Sequence, residues 1–97
     1  VIPFSPAAGE ALRALLAHYE NRDWLEASEN LLAAVTSAQE RIIRPHGRVY
    51  DAPRPYPALK RLGFRWIIER HNWVAYVESP PLITAIFHET ANIPGWF

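Results

Sequence analysis

The run Arg44-Pro45-His46-Gly47-Arg48-Val49-Tyr50-Asp51-Ala52-Pro53-Arg54-Pro55-Tyr56-Pro57-Ala58 divides the chain into two parts with different periodicities. A proline fixes its own φ and brings no N–H, so Pro45, Pro53, Pro55 and Pro57, with Gly47 among them, stop both helix and sheet. Pro55-Tyr56-Pro57 reads as an extended surface segment. Apolar residues recur at helical spacing before this run and alternate after it.

Upstream, Ser5-Pro6 reads as an N-cap followed by proline at the first helical position, where a missing donor costs nothing. Ala8, Leu12, Leu15, Leu16 and Tyr19 then share one helical face, with Glu10, Arg13 and Glu20 away from it. Asn21-Arg22 breaks the pattern. Asp23-Trp24-Leu25-Glu26 offers a capping box for a second helix, in which Ala27, Leu31, Ala34, Val35, Ala38 and Ile42 form the apolar stripe. So short a break predicts an antiparallel helical hairpin with a close, alanine-rich seam. Before it, residues 1–4 read as a short strand.

Downstream, three β-like runs are expected at residues 59–69, 73–78 and 82–88. In the first, Leu62, Phe64, Trp66 and Ile68 alternate with Arg61, Gly63, Arg65 and Ile67, which predicts one apolar face and one cationic face. The breaks at Arg70-His71-Asn72 and Ser79-Pro80-Pro81 are short enough for hairpins. Helices first and strands later give an α+β fold: a helical hairpin on one face of a three- to four-stranded antiparallel sheet. Trp66, Trp73 and Tyr76 are expected in its core.

With 97 residues, about half of them apolar, the chain reads as one domain over residues 1–97. There is no cysteine, hence no disulfide and no thiolate chemistry, which suits the cytoplasm. No apolar run approaches the roughly 20 residues that span a bilayer, so no membrane contact is expected. The formal net charge of zero hides an uneven distribution. Residues 1–40 carry two arginines against six carboxylates. Residues 41–70 carry Arg41, Arg44, Arg48, Arg54, Lys60, Arg61, Arg65 and Arg70 against only Asp51 and Glu69. That middle segment is either a solvated face complementing acidic helices or a surface for an anionic partner.

A short strand leading into Phe4-Ser5-Pro6-Ala7-Ala8, a helical hairpin, a Pro/Gly loop, then Leu59-Lys60-Arg61-Leu62, Arg65-Trp66, Trp73-Val74-Ala75-Tyr76 and Ile86-Phe87-His88 resembles the RelE/ParE superfamily of type II toxins. The resemblance covers nearly the whole chain. It implies one of two activities: ParE-like poisoning of DNA gyrase by protein binding, or RelE-like ribosome-dependent cleavage of messenger RNA. It also implies a cognate antitoxin, whose flexible segment orders on the toxin, and a toxin dimer within that complex.

Cleavage through the RNA 2′-hydroxyl needs a base, a proton donor for the leaving oxygen and cations on the phosphate. The candidates are Lys60, Arg61 and Arg65 on one strand and His88 at the end of another, meeting across the sheet. The family's nuclease ending has an arginine and an aspartate where this chain has Ala91 and Asn92, and alanine cannot donate to a phosphate. The expectation is therefore ParE-like, an inhibitor working by contact, with a RelE-like messenger RNA endonuclease or a non-toxic, interaction-only member of the family as the alternatives. Arginine and aromatic side chains dominate such interfaces, which makes Trp24, Arg54, Tyr56, Arg61, Trp96 and Phe97 the candidate contacts for target or antitoxin. His18, His46, His71 and His88 have no metal-ligand spacing and there is no phosphate-binding glycine loop, so neither metal nor cofactor is expected.

Overall fold

The computed structural model describes residues 2–91 and residue 93. Helix α1 (Pro6–Asn21) and helix α2 (Leu25–Ile43) lie on a three-stranded antiparallel sheet of β1 (Arg65–Glu69), β2 (Asn72–Glu78) and β3 (Pro81–His88), in that spatial order. The architecture is α+β.

Ser5 caps α1 as its position predicts: its Oγ accepts from the Ala8 N–H at 3.1 Å, and Pro6 opens the helix. The expected N-terminal strand is reduced to a single parallel bridge, Phe4 to Ile83, on the outer side of β3. Its bonds run from Ile83 N to the Pro3 carbonyl (3.0 Å) and from Ser5 N to the Ile83 carbonyl (2.8 Å). Gln39 of α2 then holds Ile2 by both its backbone groups. An equally short bridge, Tyr50 to Trp66, covers the outer edge of β1. Each sheet edge is thus partly closed.

The capping box expected at Asp23 is not formed. Asp23 adopts φ +53°, its N–H bonds the Glu20 carbonyl (3.2 Å) and the Trp24 N–H bonds the Tyr19 carbonyl (2.9 Å). These two bonds make a Schellman closure of α1, with aspartate at the left-handed position that glycine usually fills. Asp23 therefore ends the first helix, and α2 starts from Trp24 with no side-chain cap.

The expected strand over residues 59–69 is also shorter. Pro57–Leu62 forms a 3-10 helix closed by Gly63 at φ +72°, and pairing begins only at Arg65. Lys60 and Arg61 are consequently on a helical turn. The predicted cationic face of this strand is reduced to Arg65, since Lys60 and Arg61 precede the strand and Ile67 on the same face is buried beneath the helices.

The register explains how both sheet faces become core. Ile67, Val74 and Ile86 align across the strands and face the helices, joined by Tyr76 and Ile83. On the other face Ile68, Trp73 and Phe87 form one row and Trp66, Ala75 and Ala85 the next. Two alanines beside Trp66 leave room for its indole, which is fully buried. A bulge after Ala75 sets Tyr76 opposite Ile83, so Thr84 is the extra residue and Ile83 returns to the helix side. The β1–β2 hairpin closes through Arg70 and His71, at φ +46° and +68°, the pair of left-handed residues that a tight two-residue turn needs. The β2–β3 turn contains a cis Ser79–Pro80 bond.

The proline-rich segment covers the second sheet face. Ala52 and Leu59 are buried in one cluster with Trp66 and Trp73, Pro53 is fully buried, and Tyr50 meets Trp73 edge to face at 5.5 Å. No helix among the described residues is long and apolar enough to cross a membrane.

Candidate functional site

The four residues considered for RNA cleavage do not converge. Lys60 reaches Asp51 (3.5 Å) from the 3-10 helix, and Arg61 on the same turn is exposed with no hydrogen bond or ion pair among the described residues. Arg65 is engaged by Glu78 at 2.8 Å. Arg65 pairs with Tyr76 and His88 with Asn72, so they stand four residues apart along β2, about 13 Å at strand rise. His88 Nδ1 accepts the Thr90 N–H (3.2 Å) and contacts Thr90 Oγ1 (2.8 Å), which places the proton of the neutral ring on Nε2.

Of the basic middle segment, Arg41 has become structural. It is 9% exposed, pairs with Glu69 at 2.8 Å, and donates to the carbonyls of His46 (3.1 Å), Ile68 (3.4 Å) and Arg48 (2.6 Å). One guanidinium thus ties the end of α2, the following loop and β1 together. Gly47 makes this possible: at φ +73° it takes a conformation a side chain resists, and a Cβ there would lie 3.1 Å from the Arg41 guanidinium. The role of Arg41 was hidden in the sequence because it counts there as one more cation.

Among the described residues, two arginine–aromatic groupings lie at the surface. On the loop side Arg48 lies 5.1 Å and Arg54 5.6 Å from the ring of Tyr50, and Arg54 is also 5.9 Å from that of Trp73. The predicted contacts Arg54 and Tyr56 belong to this loop, with the Tyr56 hydroxyl donating to the Ala91 carbonyl at 3.4 Å. At the helical junction Trp24 is half exposed, with Arg22 at 5.5 Å and His18 edge-on at 5.5 Å. Trp96 and Phe97, like Asn92, lie outside the described residues.

Trp24 also lines an open cleft of about 520 Å³ between the start of α2 and the end of the sheet, with Glu26, Arg70, His71, Asn72 and His88. His71 has no ligand pattern in the sequence. Here its Nδ1 meets Glu89 Oε1 at 2.9 Å, while Glu89 N donates to the His71 carbonyl at 2.8 Å. Asn72, buried and lining the cleft, donates to the Arg70 carbonyl, and its Oδ1 has no partner among the described residues. Among the described residues no group of three or more potential ligands converges on a metal position. The shifted titrations lie in the core: burial raises the Tyr19 hydroxyl, and burial together with Glu78 raises that of Tyr76 against the opposing influence of Arg65 and Arg41.

Among the described residues, Arg54 and Tyr56 thus belong to the loop, Arg61 to the 3-10 turn and Trp24 to the helical junction, while Arg65 and His88 stand apart. Comparison with family models, with curated proteins and with solved structures finds no match to this chain.

Proposed function

We propose that this chain is a ParE-like toxin of a type II toxin–antitoxin module, which inhibits DNA gyrase by binding it and is neutralised by a cognate antitoxin. The carrying observation is the separation of Arg65 and His88 at opposite ends of the sheet, with Lys60 and Arg65 already engaged by carboxylates. General acid–base cleavage needs its groups within hydrogen-bond reach of one phosphodiester. Binding asks only for anchors on a stable frame, and Arg54 against Tyr50 and Trp73 is such an anchor: a guanidinium held over two rings, at the surface.

The test pairs two assays on the purified protein, gyrase supercoiling and ribosome-programmed cleavage of messenger RNA. Inhibition of supercoiling with intact RNA is the expected result. Ribosome-dependent cuts that vanish in His88→Ala, with gyrase unaffected, would replace this reading with the RelE-like one.

A further inference from the structure

The helices and the proline-rich loop cover opposite faces of the sheet, and they carry opposite charge. All six carboxylates of residues 1–40 are exposed, with only Arg13 and Arg22 among them. On the loop side Arg48, Arg54, Lys60 and Arg61 are exposed against the single carboxylate of Asp51. The two groups do not neutralise each other. Among the described residues no ion pair joins the loop to a helix carboxylate, and of the four loop cations only Lys60 meets an acid, Asp51, at 3.5 Å. Unpaired charge separated in this way leaves one face attractive to a polyanion and the other repulsive.

The loop holds its cations ready. Arg54 sits between the fully buried Pro53 and Pro55, in a turn closed by the Tyr56 N–H on the Pro53 carbonyl (2.8 Å). Its guanidinium and that of Arg48 lie over the one ring of Tyr50, at 5.6 and 5.1 Å. Arg48, Tyr50 and Arg54 line an open cleft of about 310 Å³ together with Asp51, which Lys60 reaches. A stacked guanidinium keeps its N–H edge for phosphate oxygens, and a turn fixed by prolines has little freedom left to lose on binding.

The rings decide which polyanion fits. Single strands bind by stacking bases on bare aromatic side chains. Here Tyr50 lies under two arginines, and the large hydrophobics exposed among the described residues, Trp24, Leu25, Leu32 and Ile43, all lie outside the loop. The loop face offers a 3-10 turn but no α-helix or hairpin to enter a groove. A second copy of this chain, acidic helices on basic loop, would make a head-to-tail contact that does not close.

We propose that the loop face, through Arg48, Arg54, Lys60 and Arg61, binds the phosphate backbone of duplex DNA without reading its sequence. This deepens the gyrase reading, on which it rests for its setting: gyrase works on duplex DNA, and the Arg54 anchor meets the enzyme together with that DNA.

Fluorescence anisotropy tests it, with the whole chain and labelled 20-base-pair duplexes of two unrelated sequences, beside single-stranded DNA, single-stranded RNA and polyglutamate. Both duplexes are expected to bind alike, with affinity falling on the order of a hundredfold between 50 and 200 mM salt, as four phosphate contacts require. Arg48→Gln with Arg54→Gln should cut that fall to about tenfold. The same variant should weaken binding at 50 mM salt at least tenfold, with the thermal melt unchanged because both side chains are exposed. Arg48→Lys with Arg54→Lys should keep the salt dependence, and Arg13→Gln on α1 should leave binding as it is. Tighter binding of either single strand or of polyglutamate, a salt dependence that survives the glutamine variant, or self-association of the free chain that this variant abolishes would overturn the proposal. Duplex binding without gyrase inhibition would leave this face standing and remove the proposed target; gyrase inhibition by a chain that binds no duplex would do the reverse.

Discussion

The two faces of the sheet are filled by different means. On one, helices deliver Ala8, Leu31 and Ala38 onto Ile67, Val74 and Ile86, a core mainly of aliphatic and small side chains that also holds Tyr19 and Tyr76. On the other, the proline-rich loop folds over Trp66, Trp73 and Phe87, a core dominated by rings. The helical side draws its order from backbone hydrogen bonds within each element. The loop side has few of these, and depends on the Tyr50–Trp66 bridge, short turns such as Tyr56 N to the Pro53 carbonyl, and the fixed φ of its prolines. A face built on a few large rings should fail abruptly when one is removed.

The largest expected effect follows from that difference. Trp66→Ala should cost about 4 kcal/mol in chemical denaturation, against about 3 kcal/mol for Leu31→Ala on the helical face, and should also expose residues 50–62 to proteolysis while the helical content is retained. Equal proteolytic sensitivity of the two variants would break the distinction. Arg41→Met comes next, because it leaves Glu69 and three carbonyls without their shared donor; a loss of about 3 kcal/mol is expected, whereas truncating the exposed Arg65–Glu78 pair should change stability by less than about 1 kcal/mol. Ser5→Ala removes the α1 cap and should cost about 1 kcal/mol, measured the same way.

A pH titration sharpens the comparison further. Tyr19 and Tyr76 both belong to the helix-side core, and burial raises their hydroxyls above the usual value of 10.0. The folded state therefore holds these protons more tightly than the unfolded chain does. Their contribution is complete below pH 10 and is lost as the pH rises through the raised values, so stability should fall in alkali, and Tyr19→Phe with Tyr76→Phe should flatten that fall. The smallest effect is a gain: Arg70→Gly should stabilise the protein by about 0.5 kcal/mol, by relieving a left-handed arginine in the β1–β2 turn.

The same division explains what could be read from the sequence. Ala8 to Tyr19 and Ala27 to Ile42 announced their buried faces, because each helix repeats its pattern over several turns. The second and third strands were equally plain. Residues 59–69 misled, because alternation in Leu62, Phe64 and Trp66 does not depend on where pairing starts; Gly63, free to take a left-handed φ, decides that. Asp23 misled for a related reason, since aspartate suits both the start of one helix and the left-handed end of another. At the candidate site, Trp24 and Arg54 could be named from residue type alone. The arginine–aromatic stacks, the buried role of Arg41 and the His71–Glu89 contact could not, because each depends on segments brought together only by the fold.

Whether the chain works by contact or by catalysis is tested most directly by titrating gyrase supercoiling with the Arg54→Ala and His88→Ala variants, both first shown to be folded. The account predicts at least a tenfold loss of inhibition for Arg54→Ala and none for His88→Ala. Undiminished inhibition by Arg54→Ala, with activity instead lost in His88→Ala, would contradict it.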